Sequence, residues 1–118
     1  RSAQGYKAAL QVAMANVGAL DDAGVRIAMG TDTGPPARFQ GYFEHMEMHM
    51  MVDAGMSPLD AIRSSTGVAA DCIGMGDIGT LEPGKWGDFS ILTENPAADI
   101  LNTKTIESVY IAGNQVPD

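Results

Sequence analysis

The chain has 118 residues, 45% of them apolar and 19% charged, the usage of one ordinary globular domain, which excludes wholesale disorder and fibrous repeats. Fifteen acidic residues against seven basic ones give a formal net charge of -8, and no cluster of Lys and Arg could neutralise a run of phosphates, so nucleic acid is excluded as a partner. No apolar stretch is long enough to cross a bilayer, which removes a membrane partner, and the single Cys72 excludes an intrachain disulfide while favouring a reducing compartment such as the cytoplasm.

From Ser2 to about Leu20 the apolar residues Leu10, Met14, Val17 and Leu20 recur at spacings of three and four, the stripe of an amphipathic helix. Ser2 is placed to cap its start, and Gly24 suits the left-handed position after its end. Val25 to Gly30 follows at once. With Val25, Ile27, Ala28 and Met29 it leaves almost no polar face, so it reads as a strand covered on both sides, as in a parallel sheet. Helix, short turn and buried strand together point to an α/β fold.

Thr31-Asp32-Thr33-Gly34-Pro35-Pro36 can continue neither helix nor central strand and must be a loop. A second helix is expected over Gln40 to Ala54, with Phe43, Met46, Met50 and Met51 inward and Gly55 closing it. Ser57-Pro58 starts a third, with Ser57 as cap, Pro58 at the first helical position and Asp60 completing a capping-box-like pattern. Leu59 and Ile62 form its apolar side. Thr66 is expected to cap a short fourth helix through Ala70 and Cys72, ended by Gly74 and Gly76. Cys72, alone on that helix, reads as a packing residue.

Beyond Gly76 helical periodicity gives way to Gly, Pro and β-formers. Glu82-Pro83-Gly84-Lys85 has the central Pro-Gly of a type II turn; Phe89 to Leu92 and Ile106 to Ile111 are strands, and Gly113-Asn114 turns the second toward Val116. No internal repeat at solenoid spacing is present.

Asp32 is the position of most chemical interest. A carboxylate at the C-terminal end of a buried parallel strand stands where α/β folds place their sites, although an Asp after a strand also serves to cap and fix turns. Arg38, six residues on, is placed to grip a substrate carboxylate, against the plainer reading of a solvated loop arginine. His45 and His49, four apart, share one helical face, a spacing compatible with a metal. They lack a third and fourth ligand, and Glu47 lies about 200 degrees around the helix from His45, so this is no HExxH motif. A half-buried helix face is the simpler account. Five methionines between Met46 and Met56 read as core filling. Lys85 and Trp86 read as turn geometry and packing.

Gly30-Thr31-Asp32-Thr33-Gly34, Glu47 through Gly55, Thr66-Gly67-Val68-Ala69-Ala70, Ile78 through Lys85 leading to Asp88, and Asn95-Pro96 with Asp99-Ile100 resemble, in order and spacing, the C-terminal third of the amidohydrolase superfamily. The imidazolonepropionase-like and Xaa-Pro dipeptidase-like branch is the nearest in flavour, and the resemblance covers nearly the whole chain. It implies an α/β fold, the C-terminal fragment of a TIM (β/α)8 barrel in residues 1–76, followed in 77–118 by strands of a small β-sandwich. It also implies a metal-dependent hydrolase of C–N bonds, with a cyclic amide or a dipeptide as the small-molecule substrate. Asp32 then corresponds to the aspartate after the eighth strand, metal ligand and proton shuttle, with zinc as the expected divalent ion. Glu47 matches an acidic position of the family helix and is expected to support the loop around Asp32.

The family's paired histidines, its bridging lysine or glutamate and its later histidines would all lie upstream of Arg1. The chain starts with Arg1 rather than Met and enters a helical pattern directly, so an upstream part is expected, and the isolated chain is expected to be inactive. Two other readings stand beside the enzyme. One is a non-catalytic association unit whose open barrel edge is covered by a second copy or a partner; the other is a free-standing α/β binding module in which Asp32 fixes a turn.

Overall fold

The structure, a computed structural model, describes residues 2–117. Four helices come first, α1 Ala3–Asp22, α2 Phe43–Asp53, α3 Pro58–Ser65 and α4 Gly67–Cys72. Three short strands, β1 Phe89–Leu92, β2 Ile106–Ile111 and β3 Asn114–Gln115, follow, with a 3-10 helix, Ile100–Lys104, between β1 and β2.

The helix ends obey local chemistry. Ser2 Oγ accepts from the Gly5 N–H and Ser57 Oγ from the Asp60 N–H, each satisfying an orphan donor of a first turn. Gly24 (φ +73°) closes α1 as expected, through Gly24 N–H to Asp21 O and Val25 N–H to Leu20 O. Thr66 does not cap α4. Its hydroxyl instead turns back to donate to Ile62 O at 2.7 Å, a bond to the α3 turn, and it accepts no N–H from the first turn of α4. The left-handed residue beyond α4 is Gly74 (φ +74°) rather than Gly76.

The segment 25–30 is not a strand among the described residues, because a strand needs a ladder and its backbone partners here lie on helices. Met29 N–H donates to Ser64 O (3.0 Å), and Ser64 Oγ donates to Ile27 O (2.6 Å). The segment is also covered on one face only. Ile27, Met29 and Thr31 are half-buried, while Arg26, Ala28 and Gly30 are exposed, the alternation of a one-sided strand rather than of a doubly covered one. Arg26 reaches Asp71 of α4 from the open side, an exposed pair of small energetic weight.

The core is small and centred on α2. Met48 and Met51 pack with Met56, Ala61 and Ile100, and Val17, Ile27, Met29, Val52 and Ile62 border them. Met48 was not among the expected inward residues. Phe43, Met46 and Met50, which were, instead face α1 across a groove of about 330 Å³ that Leu10, Met14 and Val17 also line. α3 packs through Ala61 and Ser64, not Leu59, which stays 45% exposed. Two small residues let the extended segment approach α3 closely enough for the Ser64 hydrogen bonds. Cys72 is exposed rather than packed. The Cα radius of gyration, 15.5 Å, exceeds the roughly 13.5 Å of a compact domain of this length, consistent with α1 burying none of its residues.

The second half closes as an antiparallel meander in the order β1-β2-β3. Phe89 pairs with Tyr110 and the two rings stack at 4.6 Å, a cross-strand pair of the kind that fixes register. The turn Glu82–Lys85 forms as expected, with Gly84 at φ +91° and Lys85 N–H on Glu82 O. The hairpin turn falls one residue earlier than expected. Ala112 (φ +51°) and Gly113 (φ +76°) are its central pair, a type I′ geometry whose twist suits the strands. Asp88 Oδ1 accepts the Ala112 N–H at 2.7 Å and so braces that strained alanine. The 3-10 helix had no periodic signal. Its Ile100 and Thr103 are buried against α2, which brings the second half into the core of the first.

Three substitutions test this packing. A Cβ on Gly18 would lie 2.2 Å from Ala54 O, so Gly18→Ala is expected to cost about 1–3 kcal/mol. Ser64→Ala leaves the Ile27 carbonyl without its donor and is expected to cost about 1–3 kcal/mol. Gly30→Ala, with nothing within 4 Å, should stay within about 0.5 kcal/mol of wild type. Urea denaturation followed by circular dichroism reads all three.

Candidate active-site loop

The extended segment delivers the chain into a loop, residues 31–42, that turns back onto the start of α2. Thr31 is half-buried at its root, and its hydroxyl oxygen is enclosed without a hydrogen-bond partner. Asp32 comes next, in the left-handed region (φ +53°), which Asp tolerates better than most residues. Its side chain is 83% exposed. Arg38 curls over it: one guanidinium nitrogen lies 2.9 Å from Asp32 Oδ2 and 3.3 Å from Asp32 O. The loop is closed on itself by Gly34 N–H to Arg38 O and Arg38 N–H to Pro35 O. The two residues singled out for chemistry are thus brought together, as an exposed ion pair.

The carboxylate that touches this loop is Glu44, which sequence reasoning passed over, and not Glu47. Glu44 Oε1 accepts from Thr33 Oγ1 and Oε2 from the Gly41 N–H, both at 2.7 Å. These bonds hold its carboxyl below the ordinary value of 4.5, the Thr33 hydroxyl contributing most. The available signal was position. An acid in the first turn of a helix, three residues after a glycine that ends a loop, is a capping arrangement. Glu47, one turn further along α2, lines the groove between α1 and α2 and makes no hydrogen bond to the loop.

The two histidines are engaged separately. His45 Nδ1 lies 2.9 Å from Thr103 Oγ1, whose hydroxyl donates to Ile100 O. Burial, aided by the Lys104 charge and opposed by Glu44, lowers its pKa from 6.5. His49 Nε2 faces Asp53 at 3.7 Å, and its Nδ1 is enclosed without a partner. Among the described residues no group of three or more His, Cys, Asp or Glu could hold a metal ion. A single exposed carboxylate already paired with an arginine does not meet the three or four ligands of a zinc site, so the donors present here do not by themselves fit the metal that the resemblance implies. Among the described residues no helix is long and apolar enough to cross a membrane.

The model of the amidohydrolase family matches residues 9–116. The chain belongs to the amidohydrolase family, as its ordered motifs led one to expect. Imidazolonepropionase of Deinococcus deserti is 31% identical over 101 residues, 82% of this chain and 25% of the relative. The crystal structure of a Xaa-Pro dipeptidase with bound methionine in the active site superposes with a TM-score of 0.79 at 29% identity, over 89% of this chain and 25% of the other. Molinate hydrolase gives a TM-score of 0.80 at 30% identity, over 86% and 25%. The chain therefore spans about a quarter of the length of these relatives.

The pKa directions fix two pH windows. For Glu44, depressed in the fold, the stability contributed by its bonds is present above about 4.5 and lost as pH falls through the lower folded value. For His45, also depressed but basic, the fold favours the neutral ring, so stability is full above about 6.5 and declines as pH falls through the folded value. Side-chain NMR titration should place His45 below the ordinary histidine value and Glu44 below the ordinary glutamate value. A Glu44 titrating at or above 4.5 would contradict the bonds described.

Proposed function

We propose that this chain is the C-terminal part of a metal-dependent hydrolase of C–N bonds whose substrate is a small amide, such as a cyclic amide or a dipeptide. The observation that carries the reading is the family match along residues 9–116 together with an open carboxylate, Asp32, at the head of a loop leaving an extended segment. Such loops at strand ends are where α/β barrels keep their chemistry. In this reading residues 1–76 are the last units of a (β/α)8 barrel, with 25–30 as a strand completed by neighbours outside this sequence, and 77–118 belong to a small β-sandwich.

Asp32 is then one oxygen ligand of a divalent ion, zinc by preference, whose other ligands this sequence does not contain. Its own chemistry is proton transfer, taking a proton from the attacking water and passing it to the leaving amine. Arg38, half-exposed and with guanidinium donors to spare beyond the one on Asp32, serves a substrate carboxylate such as that of a dipeptide. One observation favours a second reading, association with another copy or a covering partner. α1 buries no residue and leaves Tyr6 62%, Leu10 46% and Leu20 46% exposed, residues of one helical face that calls for cover.

In a hydrolase that contains this sequence, Asp32→Asn is expected to lower kcat on the order of 10²–10⁴-fold with little change in KM, followed by amine release from Xaa-Pro dipeptides. Undiminished turnover would remove Asp32 from the mechanism. The chain by itself should retain no stoichiometric zinc after dialysis, measured by elemental analysis. Sedimentation separates the second reading, since a clean monomer across concentrations excludes self-association.

A further inference from the structure

We infer that Glu44 is the positioning residue for Asp32, its carboxylate joining the two ends of the loop that presents Asp32 and thereby setting where that side chain stands. The inference deepens the proposed role of Asp32 and rests on it for its catalytic meaning. Its geometry is independent of that role.

One carboxylate spends both oxygens on the loop. Thr33, the residue after Asp32, donates its hydroxyl to Oε1, and Gly41, at the far end, donates its N–H to Oε2. By contrast, the hydrogen bonds that Asp32, Gly34 and Arg38 make, including the ion pair, all lie within the loop and move with it. Bonds internal to a loop shape it but do not anchor it. Glu44 is fixed on α2, whose Met48 and Met51 sit in the core, so its two bonds tie a self-closed loop to a helix anchored in that core.

The placement suits a carboxylate. Glu44 is the second residue of α2, where unsatisfied N–H groups and the helix dipole favour negative charge, and the cap residue Tyr42 supplies no side-chain bond of its own. Two charge-assisted bonds at 2.7 Å are of the strong kind. The consequence falls on Asp32, whose left-handed backbone (φ +53°) persists only where its surroundings hold it there.

The test uses the full chain, isotopically labelled, with Asp32 as the reporter. The Cα and Cβ shifts of Asp32 and its three-bond amide coupling report the left-handed backbone, and amide exchange at Gly41 reports the anchor. Glu44→Gln and Thr33→Val are each expected to move the Asp32 signals toward averaged values. Gly41 exchange should rise on the order of tenfold in Glu44→Gln, as for the loss of one charge-assisted hydrogen bond. Thr33→Ser, which keeps the hydroxyl, should restore the Asp32 signals, and the double variant Glu44→Gln with Thr33→Val should be no worse than Glu44→Gln alone. Helical circular dichroism should be unchanged throughout. Asp32 signals that ignore Glu44→Gln and Thr33→Val, or Thr33→Ser behaving as Thr33→Val, would overturn the inference. If Glu44→Gln does not fold, the Thr33 pair decides alone. An Asp32 with no part in hydrolysis would leave these readouts as expected, so the two ideas fail separately.

Discussion

One eleven-residue helix has to serve three neighbours at once, and most of the structure follows from how α2 divides its surface. Met48 and Met51 point into the core shared with Ala61 and Ile100. Phe43, Met46, Glu47 and Met50 face α1 across the groove, and His45 meets the 3-10 helix. The apolar residues of α2 lie on more than one side, so the helix has no single apolar stripe, and the unbranched, flexible methionine side chain lets one element fit partners of different shape. The first turn is the exception. There Glu44 takes hold of the loop, so the same helix that organises the core also sets the frame for Asp32.

That coupling has an energetic logic. A left-handed aspartate in an exposed loop is not a conformation the chain reaches by default, and the Arg38 pair is a surface contact of modest worth. What gives the loop definition is its attachment at both ends to something rigid. The 25–30 segment is pinned at its root by Ser64, a side chain only 1% exposed, and the loop is tied at Thr33 and Gly41 by Glu44. Asp32 sits between these fixed points. Sites held by buried or helical supports are more precise than sites whose loops support only themselves.

The sequence was most legible where local chemistry decides. Ser2, Ser57, Pro58, Gly24 and the Pro83-Gly84 turn act as their residue types require, and β1 and β2 fall on the expected residues. The family was legible too, from the order of short motifs, although each alone is weak. What was not legible depended on partners. The 25–30 run has strand composition, but pairing is a property of neighbours, and here its backbone meets α3. The inward face of α2 was read correctly at Met51 but missed at Met48, because four methionines leave the period without contrast. Thr66 and the 112–113 turn show two local options differing by one hydrogen bond or one residue. In the loop, Asp32 and Arg38 were singled out by type and place and prove to be paired with each other, whereas Glu44 escaped notice since a first-turn acid is ordinarily only a cap.

The contact between His45 and Thr103 carries a consequence for where a proton can go. A threonine hydroxyl has one hydrogen, and Thr103 directs it to the Ile100 carbonyl, so the ring nitrogen at 2.9 Å must itself be the donor. His45 is thereby held as the tautomer protonated at Nδ1, and its basic lone pair is at Nε2. Acidification then adds a proton on the far side of the ring and leaves the bridge to Thr103 intact. The 3-10 helix feels low pH as a new positive charge beside Lys104, not as a broken hydrogen bond.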